Sequence, residues 1–272
     1  MYDSSPQNTA VPPFLRLVTI VESIVVGVAA TVLFLLPSLG NAIWAWAIPP
    51  FNSRYVGAIY LAAFLPLVVF AISGRWSPGR LVLWMIFAFT TSIGIVMFVH
   101  IPNFEWNRPA TIAFWFLYIF LPFNSAFFIY RLRDLKVAGN ENNAASWQTL
   151  LLGMTIVFGL YGLGLLIMTE TLTAFWPWKI DAFHGRIYAA TFITPALGAW
   201  LIYKQSTVSE RFVLGLTLLT LGAFSLIGVV WTSTTVPAAR QIDYSTLGTW
   251  AFFGMNVISG LAGLGLIIST RK

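Results

Sequence analysis

Glu22 lies in the apolar run LVTIVESIVVGVAATVLFLL and is the only acid well inside such a run. An acid in an apolar span pairs within a bundle, lines a wet cavity, or stays neutral. The chemistries it offers are proton coupling and ligand binding. The plain alternative is a carboxyl hydrogen-bonded to a Ser, a Thr or a backbone carbonyl of a neighbouring helix. Arg54 and Arg186 are the next candidates, because guanidinium is a planar five-donor fork that fits carboxylate or phosphate. Facing one axis, they would form a cationic floor under an outer vestibule. Facing outward, they would snorkel to lipid phosphates or join a loop salt bridge. His100 and His184 could reach one metal, but there is no second His pair and no Cys-x-x-Cys-His, so no haem or metal is expected. The lysines fall in loops and at run ends, which leaves no retinal Schiff base. Asp181, His184 and Asp243 match no reaction pattern. No catalytic residue is assigned, and no cofactor is expected.

The two arginines belong to a motif written twice. Residues 44–58 read WAWAIPPFNSRYVGA and residues 176–190 read WPWKIDAFHGRIYAA. They align without a gap at an offset of 132, pairing Trp44 with Trp176, Trp46 with Trp178, Phe51 with Phe183 and Arg54 with Arg186. Upstream, Ile24, Val25, Gly27 and Leu33 meet Ile156, Val157, Gly159 and Leu165, whereas Glu22 meets Met154 and His184 meets Asn52. Downstream the match thins to Arg108 with Arg240 and Asn124 with Asn256. Positions 44, 48, 51 and 55 share one helical face, as do 176, 180, 183 and 187. The expected element is an aromatic segment in the headgroup region, where Trp ordinarily anchors. Trp46 and Trp178 join Arg54, Arg186 and Glu22 as candidate ligand-binding residues.

The elements that carry these residues follow from composition. Of 272 residues, 58% are hydrophobic and 9% charged, far below the roughly 25% charge of soluble domains. Crossing a bilayer core takes about 20 mostly apolar residues. Eight stretches reach that length: 14–36, 54–72, 81–99, 111–130, 147–168, 185–203, 212–231 and 247–269. They are apolar all round, so the expected fold is all-α, a polytopic transmembrane bundle in which helices satisfy their own backbone. The duplication divides it into a tail (1–13), a four-helix repeat (14–130), a linker (131–146) and a second four-helix repeat (147–272). Even-numbered units repeat in parallel about an axis along the membrane normal. Ten cations fall on one side and five on the other, placing both termini and the linker in the cytoplasm. The basic balance is thus a matter of topology and does not imply nucleic acid. The stretch before the first span has no basic residue, and Glu22 interrupts its core, so that span is expected to stay in the mature fold rather than be cleaved as a signal peptide.

The loops W-P-W-K-I-D-A-F-H-G-R and W-A-W-A-I-P-P-F-N-S-R resemble a Trp-Pro-Trp…Arg motif of multi-pass bacterial membrane proteins. The resemblance covers about a fifth of the chain, and the first copy has Ala45 in place of the central Pro. It implies a bacterial inner-membrane location and brings no activity with it. Three classes stay open: a protein that binds or transports a small or amphipathic ligand between the two repeats, a structural or assembly subunit with a membrane-protein partner, and a membrane enzyme acting on lipid. A filled interior with an apolar flank would favour the subunit. An internal polar cavity would favour the transporter.

Overall fold

A computed structural model of the protein describes residues 8–135 and 145–270. Most of the expected tail, the middle of the linker and the cations Lys136, Arg271 and Lys272 lie outside these residues. Ten α-helices occur among the described residues: α1 Pro13–Leu35, α2 Pro37–Ile43, α3 Pro50–Ser73, α4 Trp76–Val99, α5 Pro109–Arg131, α6 Ala145–Ile167, α7 Thr169–Thr173, α8 Ala182–Lys204, α9 Val208–Thr235 and α10 Leu247–Ser269. Their limits have local causes. α1, α2, α3 and α5 open on proline, whose fixed φ and missing N–H suit a first helical position. α8 is capped by the Asp181 carboxylate on the His184 N–H. α9 opens with a Thr207–Glu210 capping box. α3 stops at Gly74, which takes a left-handed φ of 56° that glycine adopts without a Cβ clash.

Seven of these helices are long and apolar enough to span a membrane, and the chain is a multi-pass membrane protein. The eighth expected span, α8, is as long as α1 but less apolar, because it carries His184, Arg186, Thr191, Thr194 and Pro195. Most of α8 is buried by neighbouring helices, so these groups face protein rather than lipid.

The buried helices are α3, α4, α8 and α9, with α1, α5, α6 and α10 outside them. Protein covers 61% of the apolar stretch of α3 and α9 but 28% of that of α5 and α6. α1 packs on α3 as α6 does on α8; α4 packs on α5 as α9 does on α10; α3 packs on α9 as α4 does on α8. The first half therefore does not close on itself: α3 touches α9 far more than its sequence neighbour α4. Glycines allow close approaches between helices. A Cβ on Gly57 would lie 2.6 Å from the Phe34 backbone N, and one on Gly222 would collide with the Asn256 carbonyl.

Helix starts keep a fixed spacing. α1 and α6, α3 and α8, and α4 and α9 each begin 132 residues apart, while α5 and α10, both 23 residues long, begin 138 apart. A six-residue excess thus enters between the starts of α9 and α10: α9 is four residues longer than α4, and the connection that follows it is two residues longer. At the new spacing Thr111 meets Thr249, Ala113 meets Ala251 and Phe114 meets Phe252. The 132-residue pairings Arg108–Arg240 and Asn124–Asn256 do not occupy corresponding helix positions.

Candidate ligand-binding site

The twice-written motif gathers where α3 and α8 begin and α4 and α9 end. Its tryptophans are not lipid anchors: Trp44, Trp46, Trp176 and Trp178 are all at most 9% exposed. Nor does one helical face run from residue 44 to 55, because α3 starts at Pro50 and the Trp segment before it is bent. Each Trp pair packs edge to face, Trp44 on Trp46 at 5.5 Å and Trp176 on Trp178 at 5.1 Å. Each also packs on the outer helix of its half, Trp44 on Phe114 at 5.7 Å and Trp176 on Phe252 at 5.4 Å.

Hydrogen bonds then cross between the halves. Trp46 Nε1 donates to His184 Nε2 at 3.1 Å, and Trp178 Nε1 donates to Asn52 Oδ1 at 2.7 Å. Residues 52 and 184 are themselves counterparts at the 132 spacing. Because Trp can only donate, His184 must accept at Nε2 and donate from Nδ1 to Asp181, 2.9 Å away. Burial raises the Asp181 carboxyl, but the hydrogen bonds it accepts from the His184 side chain and from the backbone outweigh that and hold it below its ordinary value.

The arginines follow the same scheme. Arg54 Nη1 donates to Thr232 Oγ1 at 2.9 Å, and its guanidinium lies over the Trp231 ring at 4.3 Å. Arg186 donates from Nη1 to His100 Nε2 at 2.8 Å and from Nε to the Leu166 carbonyl at 3.2 Å. Positions 100 and 232 are again 132 apart. Burial, and then the Arg186 charge, lower the basicity of His100. Arg54 is 5% exposed, so it does not snorkel.

Glu22 lies elsewhere, in the wall of a cavity of about 290 Å³. None of Arg54, Arg186, Trp46 and Trp178 lines it. The structure therefore separates the five candidate residues into an inter-half cluster of four and a cavity residue. α1 and α5 flank the cavity, α3 and α4 line it, and Thr191, Thr194 and Thr217 of α8 and α9 close the back. The lining is nearly all apolar. Its polar groups run from Trp44 at one end, through Tyr60 and Tyr118 with hydroxyls 2.8 Å apart, to Glu22. Among the described residues no hydrogen bond or ion pair engages the Glu22 carboxyl. Trp44 Nε1, Thr191 Oγ1 and Thr194 Oγ1 are buried without a hydrogen-bond partner. Val25 and Val28 line the cavity yet are 39% and 60% exposed on the outer face of α1. α1 and α5 do not pack along their length, although Phe14 meets Phe128 at 6.3 Å at one end. The cavity thus opens sideways between them.

The corresponding place in the second half is occupied by side chains. Val26 and Ala29 line the cavity; 132 residues on stand Phe158 and Tyr161. Both pack on Phe192, the counterpart of Tyr60, at 6.0 and 4.8 Å. Tyr161 also accepts the Trp176 Nε1–H at 2.9 Å. The same indole group of Trp44 meets no such acceptor, because residue 29 is alanine. Sequence reading singled out Glu22 and missed Trp44, Tyr60, Tyr118, Thr191 and Thr194. The size differences at 26/158 and 29/161 were the available signal.

No protein-family model, curated protein or solved structure matches this chain.

Proposed function

We propose that the protein binds a small apolar or amphipathic molecule taken from the bilayer into the cavity between α1 and α5. The observation that carries this reading is the open cavity itself, with its unpartnered Trp44, Thr191 and Thr194 groups. Buried polar groups are ordinarily hydrogen-bonded, and Trp44, Thr191 and Thr194, which line the space, each carry one that is not. The volume is near the lower end of the range for small-molecule cavities, about 300–1,000 Å³. A purely structural subunit would be expected to fill this space with side chains, as the second half does. The sparse polarity of the lining favours an apolar or amphipathic ligand over an ion.

The architecture in this reading is eight spans, α8 included, forming two parallel four-helix repeats about a twofold axis along the membrane normal. The 132-residue spacing, the matching packing partners and the reciprocal contacts support it. A twofold makes residue i of one unit touch j of the other and j touch i, which is the pattern of 46 with 184 and 178 with 52. Arg54, Arg186, Trp46 and Trp178 then hold the units together at the Trp end. That end is outward, with both termini in the cytoplasm of a bacterial inner membrane, on the cation asymmetry of the loops.

Purification in mild detergent, followed by extraction and mass spectrometry, tests the function. The wild type should retain about one small molecule per chain, and Val26→Phe and Ala29→Tyr should each lose it. Equal retention by wild type and both folded variants would refute the cavity as the binding site.

A further inference from the structure

The second half shows what fits the place that the first leaves open. There, Tyr161 brings a ring bearing one oxygen against Phe192 and offers that oxygen to the Trp176 indole N–H at 2.9 Å. In the first half Trp44 has the corresponding neighbours: Trp46, and Phe114 where Trp176 has Phe252. The Trp44 indole lines the cavity wall; its N–H is unpartnered and covered by its neighbours, so an acceptor reaches it by displacing them. From this pairing we infer that the ligand carries an oxygen-bearing ring of the quinone or quinol class, with an oxygen accepting from Trp44 Nε1. The inference rests on the cavity reading proposed above and adds the chemistry of the occupant.

Each part of the site matches that chemistry. Indole N–H can only donate, so it selects an acceptor, which a quinone carbonyl or a quinol hydroxyl supplies. Edge-to-face and offset contacts with Phe114 and Tyr60 favour a ring over an alkyl chain. A ring with oxygens on opposite edges brings its second oxygen toward the wall formed by Thr191 and Thr194, whose hydroxyls are unpartnered and covered. An isoprenoid or alkyl tail would leave past Val25 and Val28 into lipid, where apolar surface carries no desolvation cost. A fatty acid would present its acceptor without a ring.

The test titrates full-length protein in lipid nanodiscs with a benzoquinone carrying one isoprenoid unit, and separately with decanoate. The wild type should bind one equivalent of the quinone. Trp44→Phe should weaken it about tenfold, and Ala29→Tyr should abolish it. Tyr161→Ala, which reopens the corresponding place beside Trp176, should add a second equivalent. Val26→Phe substitutes for Ala29→Tyr should the latter not yield monodisperse protein. The inference falls if the quinone does not bind, if decanoate binds as tightly, or if Trp44→Phe leaves affinity unchanged; the cavity reading survives those results. Undiminished quinone or decanoate binding by the folded cavity-filling variants would overturn the cavity reading as well.

Discussion

At the scale of single residues, the structure turns isolated polar side chains into two systems with different demands. The Trp46–His184 contact is buried and satisfied, with Asp181 holding it from the exposed side, so cutting it leaves an acceptor without its donor. Trp46→Phe should destabilise the protein by about 1–3 kcal/mol, the cost of one orphaned buried group. His184→Asn should be milder than His184→Leu, because Asn52 already accepts Trp178 in the matching contact. Unfolding in detergent measures both, and equal effects of the two His184 substitutions would contradict the role given to this hydrogen bond. Glu22 behaves oppositely, since a buried polar group without partners is a cost. Glu22→Leu should raise the melting temperature while changing ligand retention; a marked loss of stability would mean the carboxyl has a structural partner.

The same contacts set a pH dependence. Folding lowers His100 from its ordinary value of 6.5, first through burial and then through the Arg186 charge. The unfolded chain therefore takes up this proton first as pH falls. The His100 contribution is fully present above pH 6.5 and is lost as pH drops through the lower folded value. Asp181, lowered from 3.8, adds a second loss below that pH. Melting temperature against pH should show the first decline, and Arg186→Gln should move it upward. An unchanged profile in that variant would remove the Arg186–His100 contact as its cause.

At the scale of helices, two devices hold the buried layer. Arg80 pairs with Glu210 through two contacts of 2.7 and 3.1 Å, joining α4 to the first turn of α9. Glu210 is fully buried and also completes the Thr207 capping box. Breaking a buried pair typically costs about 3–5 kcal/mol because one charge is stranded, so Glu210→Ala should unfold at markedly lower temperature than Arg133→Ala, whose side chain is half exposed. The other device is close approach. Gly222→Val would force α9 from α10 at the Asn256 backbone, and overpacking of this kind costs about 1–3 kcal/mol. A wild-type melting curve for Gly222→Val would contradict the spacing of these helices.

Much of this element layout is legible in the sequence. Prolines and caps mark the helix starts, and the Trp motif gives the 132-residue spacing of three helix pairs. Span order pairs α5 with α10 but does not give their register, because the longer α9 and its longer following connection add six residues; Arg108–Arg240 and Asn124–Asn256 are chance matches at the old spacing. The Trp segments were misread as lipid anchors for a different reason: composition gives the preference of Trp for an interface, but not whether another helix covers it. The cavity was invisible because it is a space left by small residues. Val26 and Ala29 are unremarkable until set beside Phe158 and Tyr161.

In the proposed reading, the whole molecule joins a paired architecture to an unpaired ligand site. The two halves meet through reciprocal contacts, yet one keeps an open cavity and the other fills the corresponding place with Phe158 and Tyr161. Single cysteines tested for labelling from outside intact cells should react next to Trp178 and not within residues 131–146; labelling of that linker would invert the proposed orientation. The most direct measurement is an experimental density map of the protein purified in native lipid. It should show continuous density from beside Trp44 Nε1 toward Glu22, leaving between α1 and α5 past Val28. A closed α1–α5 contact, or an empty cavity in a map that resolves the lining side chains, would contradict the central claim that this space holds a ligand.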